Sequence, residues 1–258
     1  MSGWIGTIAK MHEFLWPTSL KESIPTRYTI QKAAGKAWAF VNSPPTSRTR
    51  EWAVEVDGTN ADSAIIRAFL QGAYGPGPFH FISEAASLTN ALTPAQSLLT
   101  GFSNGGNLTT ADGGYSPASL VGGTHVVLAD KVPVLPGEPL TVSVDASGAT
   151  ELIVQPRTVT GANAGGAKTV TATGALMQRL HAVIPSAPAT ARYVTISARG
   201  YTALARPQVV WADEPSPWDV GGGADSVVLL DGSSTFTKFE LHTRDFWRAM
   251  DLSIVEVG

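Results

Sequence analysis

The amino-acid sequence predicts an all-β protein. Glycine (26) and proline (17) are abundant and punctuate turns, while Thr and Val, which favour strands, fill the runs between them. Those runs alternate apolar and polar residues, as half-buried antiparallel strands require. Charged residues make up only 15% of the chain against ~25% in an average soluble domain, so the Glu- and Lys-rich mixtures that build long helices are scarce. The 258 residues suit one large β domain or two ordinary ones.

The elements follow in order. Tyr28 and Ile30 alternate with polar partners, and so do Trp38 and Phe40. Trp52, Val54 and Val56 face one way, with Glu51 and Glu55 facing the other. One short helix is expected between Asn60, a cap, and Gly72, a stop; Asp62 complements its dipole, and Ile65, Ala68 and Phe69 lie at helical spacing. Gly75-Pro76-Gly77-Pro78 breaks it, and Phe79 to Ile82 forms a short strand. A connector with Pro94, Gly101, Gly105 and Gly106 is expected next.

The middle of the chain differs in composition. Residues 101–200 carry six Lys or Arg and five Asp or Glu. Leu140, Val142 and Val144 alternate with Thr141, Ser143 and Asp145; Leu152 with Val154, and Val194, Ile196 and Ala198, continue the pattern. Val209 with Trp211 reads as one more strand. Regular short strands with turns between them predict a β-sandwich or jelly roll. A second connector is expected through Pro215, Pro217 and Gly221-Gly222-Gly223, followed by strands at 226–230, 235–241 and 252–257. Three strands are too few to fold alone. They are expected to complete the first domain, giving a discontinuous domain of residues 1–97 plus 219–258 and an inserted sandwich of residues 98–218.

Composition also excludes functions. The 43% apolar content supports a core. A net charge of −3 speaks against a cationic surface, so no nucleic-acid binding is expected. Cysteine is absent, which removes disulfides, thiolate metal sites and a Cys nucleophile. No run of 18 apolar residues occurs, so no membrane insertion is expected, and no apolar segment between Lys10 and Lys21 reads as a signal peptide.

Local motifs resolve into structure rather than chemistry. Gly101-Phe102-Ser103-Asn104-Gly105 fits G-x-S-x-G, but its flanks offer neither the strand nor the helix that a nucleophile elbow needs. Gly161 to Thr169 resembles a phosphate loop, yet Ala167 separates the Gly from Lys168 and no helix follows. The five histidines (His12, His80, His125, His181, His242) form no H-x-x-x-H pair. Asp57-Gly58-Thr59-Asn60 and Asp231-Gly232-Ser233-Ser234 read as turns rather than calcium loops. No catalytic residue, cofactor or metal ligand is assigned. Sugar faces stack on aromatic rings, which makes Tyr115, Tyr201 and Trp211 the candidate carbohydrate-binding residues.

Between Arg50 and Gln96 the motifs combine. Arg50-Glu51-Trp52-Ala53-Val54, a short helix near Ile65 to Gln71, Gly75-Pro76-Gly77-Pro78-Phe79-His80-Phe81-Ile82 and Asn90-Ala91-Leu92-Thr93-Pro94-Ala95-Gln96 together resemble the distal tail proteins, minor tail proteins of long-tailed bacteriophages of high-GC Gram-positive hosts. Val132 to Ser143 and Ala205-Arg206-Pro207-Gln208-Val209 resemble carbohydrate-binding-module jelly rolls, with Pro139-Leu140 where those modules place an aromatic residue. The resemblance implies a β-sandwich ring domain carrying an inserted jelly roll. It also implies a homo-oligomer, a hexameric ring, between the tail-tube protein and the tail hub protein, with the tape measure protein as a further partner. Such a protein is made in the host cytoplasm and located at the virion tail tip. Arg48 and Arg50 are the candidate assembly-interface residues. The alternative is a receptor-binding minor tail protein that recognises host cell-wall carbohydrate; a wall-degrading hydrolase is a third class.

Overall fold

A computed structural model describes residues 2–15, 17–23, 28–33, 36–41, 49–100, 105–107, 119–240 and 245–257. The fold is all-β, with short helical segments. In chain order the elements are β1 (Ser2–Thr7), β2 (Lys10–Leu15), β3 (Pro17–Ser23), β4 (Tyr28–Ala33), β5 (Lys36–Val41), β6 (Glu51–Thr59), α1 (Asn60–Leu70), β7 (Phe79–Ser83), α2 (Glu84–Thr89) and α3 (Pro94–Ser97). They continue with β8 (Gly105–Asn107), β9 (Ser119–Pro133), β10 (Leu140–Ser147), β11 (Glu151–Arg157), β12 (Lys168–Thr171), β13 (Gln178–Ile184), β14 (Tyr193–Val210), β15 (Ala224–Glu240) and β16 (Asp245–Glu256). Two compact units result: Met1–Ile5, His12–Phe79 and Asp225–Gly258 make the first, Gly6–Met11 and His80–Ala224 the second. No helix among the described residues is long and apolar enough to cross a membrane.

The first unit is organised on β6. Its residues alternate between exposed and buried along the strand, with Trp52, Val54 and Val56 inward. β3 and β16 pair with its two edges, both antiparallel, and β15 pairs with β16. Helix α1 brings Ile66 and Phe69 to the same apolar region as Ile5, Leu252 and Ile254. Strands β4 and β5 form a separate antiparallel hairpin, from Tyr28↔Val41 to Ala33↔Lys36.

The C-terminal region departs from expectation. Instead of three strands, its described residues form two long ones, β15 and β16. Asp231 to Ser234, expected as a turn, lies inside β15, where the register shifts between Leu230 and Gly232. A β-bulge explains this: one extra residue is absorbed without ending the strand, and Gly fits because a Cβ at 232 would collide with the Leu70 side chain. Strands β1, β2 and β3 had no sequence signal strong enough to predict them.

The second unit is a sandwich built around β14, which has β9 along one side. The other side of β14 pairs with β11 over residues 193–199 and with β10 over residues 203–210. Gly200, with φ of 64°, marks the change of partner; a left-handed residue there lets the strand bend at a sheet corner. β12 extends the sheet beyond β11, and β13 beyond β10. Val142, Val144, Leu152, Val154, Ile196 and Leu204 meet in one core. Burying each such Val, Leu or Ile contributes ~1.5–3 kcal/mol. Val209 belongs to the end of β14 rather than to a further strand.

Both connectors prove to be ordered where described. Thr93 caps α3 in a reciprocal box: Gln96 N donates to Thr93 Oγ1 (3.2 Å) and Thr93 N donates to Gln96 Oε1 (3.0 Å), with Pro94 starting the helix. Gly221 to Gly223 runs beside residues 90–92, with Gly222 N donating to Asn90 O and Gly223 N to Leu92 O, both 2.9 Å. These glycines are present because a Cβ at 221 or 223 would strike the backbone carbonyls of Leu92 or Ala91. Glycine is the residue of flexible linkers, but here it permits close backbone approach.

Candidate functional site

The residues that carry the distal-tail resemblance are used to lock backbone to backbone. Asn90 is fully buried and makes four side-chain bonds. Its Nδ2 donates to Pro207 O (3.3 Å) and Asp219 O (2.9 Å), while its Oδ1 accepts from Leu92 N (3.2 Å) and Val209 N (3.1 Å). A buried amide with both donors and both lone pairs engaged fixes three chain segments at once: its own turn, residues 207–209 and Asp219. Ser97 Oγ adds a fifth contact, accepting from Gly221 N at 2.8 Å.

In the first unit Arg50 plays a similar part. It is 5% exposed. Its Nε and Nη2 donate to the two carboxylate oxygens of Glu256, at 2.9 and 3.0 Å, and its Nη1 lies 3.7 Å from Glu22 Oε1. The guanidinium also sits 4.9 Å from the centre of the Trp52 ring. Arg48, Tyr115 and Ser103 lie outside the described residues.

The two described aromatic candidates are half-buried and pack against the sandwich core. Tyr201 lies opposite Gly123 on β9, and its hydroxyl occupies the space a Cβ at Gly123 would need. Trp211 follows the end of β14, and its backbone N donates to Ser87 O at 2.7 Å. Ten positions of extended chain, roughly 30 Å, separate the two, so they do not make one stacking platform.

A polar cluster that the sequence reading did not assign lies on the outer face of β10. Thr141, Ser143, Asp145 and Ser147 are as buried there as the apolar residues that alternate with them. Helix α2 and the segment from 211 to 219 cover one end: Thr141 Oγ1 donates to Ala212 O, and Gln208 Nε2 donates to Thr89 O, Ser216 Oγ and Pro217 O. Gln208 Oε1 accepts from Ser143 Oγ (3.0 Å) and Arg179 Nη2 (2.7 Å). Arg179 Nη1 reaches Asp145 Oδ1 at 3.0 Å, and Arg206 pairs with Asp145 Oδ2. Burial pulls the Arg179 guanidinium below its ordinary pKa; Asp145 opposes this, and the Arg206 charge adds to it. Burial also lowers the pKa of His181, with the Arg179 charge next in weight and Asp145 opposing. The cluster joins residues far apart in sequence, so no local spacing announced it. The one local signal was Arg206-Pro207-Gln208 interrupting an apolar strand.

Among the described residues no group of three or more His, Asp or Glu side chains is placed to hold a metal ion. The Gly161–Lys168 stretch is a loop closed by Arg157, whose Nη1 donates to Gly161 O and Asn163 Oδ1, and it leads into β12 rather than a helix. No protein-family model matches the chain, and no curated protein matches it.

Proposed function

We propose that this chain is a structural protein of the phage virion, a distal tail protein at the tail tip. In this reading copies of the first unit form a closed ring that joins the tail tube to the hub, and the sandwich unit carries peripheral tail-tip proteins. The observation that supports it is the use made of the resembling residues. Asn90, Thr93, Gln96 and Arg50 hold strands and helix ends in fixed register rather than facing a cleft. A rigid scaffold of this kind suits assembly, where closed cyclic symmetry satisfies every interface without endless growth. Each subunit contact is then expected to bury at least ~1,000 Å².

Electron microscopy of intact tails, with the chain labelled, tests this reading. Six copies at the tail tip support it; a single copy per tail, or absence from the tail, overturns it. Retention on purified host cell walls by a monomeric chain would favour the receptor-binding alternative.

A further inference from the structure

We infer that Arg206, with Arg179 behind it, forms a binding site for a singly charged oxyanion, a carboxylate or a phosphodiester, on the outer face of β10, β13 and β14. The inference does not depend on the tail-tip reading.

The backbone supplies the first argument. Asp145 stands opposite Arg179 on β13 and opposite Ala205 on β14. Between Ser143 and Asp145 the β10–β14 register breaks. In that break Arg206 adopts φ of 52°, a left-handed conformation that is strained for a side-chain-bearing residue. The extra residue lets Leu204 and Val209 both face the core although five positions separate them. It also brings the guanidinium of Arg206 onto Asp145. Bulges re-aim side chains, and strained residues of this kind cluster at ligand sites.

Charge supplies the second argument. Two guanidinium groups share one carboxylate, which leaves one positive charge in excess. Asp145 is 4% exposed and Arg179 22%, whereas Arg206 is 48% exposed. Arg179 is committed within the protein, to Asp145, Ser143, Gln208 and the carbonyl of Arg206. Arg206 directs Nε and Nη2 at Asp145, so the Nη1 edge of its fork is turned away from the carboxylate. A planar fork anchored along one edge, on a side chain that is about half exposed, is organised to receive an oxyanion by charge-assisted hydrogen bonds. Partial burial of an excess cation is costly, and a bound anion offsets that cost. His181 lies across from Ser143 on the same face, where burial first and the Arg179 charge second lower its pKa. One excess charge matches a monoanion better than a dianion.

Titration calorimetry on the full chain at low salt tests the site, with sodium glucuronate, dimethyl phosphate and a poly(glycerol phosphate) polymer as probes and glucose as the neutral control. Saturable binding of a charged probe that weakens as salt rises is expected. Arg206→Gln should weaken it about tenfold, the effect of removing one charge-assisted contact. Arg199→Gln, an exposed charge on the same strand, should leave it unchanged. Binding of both free monoanions identifies the oxyanion alone as the ligand; binding of the polymer alone places the phosphodiester in a longer chain. If Arg206→Gln does not fold, Arg206→Lys keeps the charge without the fork and should bind at intermediate strength. Absence of saturable binding by the unmodified protein, equal affinity for glucose, or unchanged affinity in the folded Arg206 variant overturns the proposal.

Discussion

Arg50 and Glu256 stand 206 positions apart and bind each other through both backbone and side chain. Glu256 N donates to Arg50 O at 2.9 Å, Arg50 N donates to Glu256 Oε2 at 3.3 Å, and the guanidinium takes both carboxylate oxygens. The pair fastens the end of β16 to the start of β6. Arg50→Ala removes the charge, the fork and the contact with Trp52 together, and leaves Glu256 without its cation. A loss of about 3 kcal/mol is expected, read as a lower urea midpoint with an unchanged slope. Arg50→Lys should recover only part of it, because an ammonium does not reproduce the bidentate geometry.

Asn90 is expected to be more sensitive than its size suggests. Asn90→Ala leaves the Leu92 and Val209 amides and the Pro207 and Asp219 carbonyls without their side-chain partner, and three of these four bonds are buried. The expected cost is about 3 kcal/mol or more. Asn90→Asp should not rescue it, since a carboxylate keeps the acceptors, loses both donors and adds a buried charge. Thermal unfolding of the two variants against the parent chain measures this.

Glycine substitutions separate packing from flexibility. Gly223→Ala drives a methyl group into the Ala91 carbonyl and should destabilise by about 2 kcal/mol or more. Gly166→Ala meets open space and should change stability by no more than about 1 kcal/mol, in the stabilising direction. If Gly221 to Gly223 were a loose linker, both substitutions would behave alike in the same melt.

Acid should weaken the sandwich unit through His181. Its folded pKa lies below the ordinary histidine value, so in the window beneath that value the unfolded chain takes up the proton more readily. The contribution is therefore present at neutral pH and lost as pH falls through the unfolded and then the folded pKa. His181 is largely exposed, which keeps the effect small. His181→Gln should flatten the slope of melting temperature against pH between about 7 and 5 relative to the parent, as the linkage relation requires.

Periodic stretches of this fold were legible in the sequence; contacts made at a distance were not. Trp52, Val54 and Val56 announced β6 because one face is buried and the other wet, and α1 announced itself by Asn60 and Gly72. The alternation in β10 was legible too, but it misled on one point. Thr141, Ser143 and Asp145 looked solvent-facing because they are polar, whereas residues 211–219 and the side chains of Arg179 and Gln208 cover them. Glycine carried the other ambiguity, since Gly221 to Gly223 has the composition of a linker and the packing of a core strand. The same is true of Asn90, whose four partners come from segments more than 110 residues away or from its own turn. The Arg179–Asp145–Arg206 cluster depends on strand register, so only the polar interruption at Arg206-Pro207-Gln208 hinted at it in the sequence.

The seam where residues 221–223 run beside residues 90–92 has an evolutionary consequence. It pins both ends of a long stretch of chain, so insertions or deletions between them leave the closure intact. Doubling a surface loop inside such a pinned span adds only about 0.6 kcal/mol of entropy cost. Among homologous chains, length changes are therefore expected to accumulate in loops such as residues 158–167 and 172–177, while the Asn-Ala-Leu and Gly-Gly-Gly tripeptides that meet at the seam stay together as a co-inherited pair.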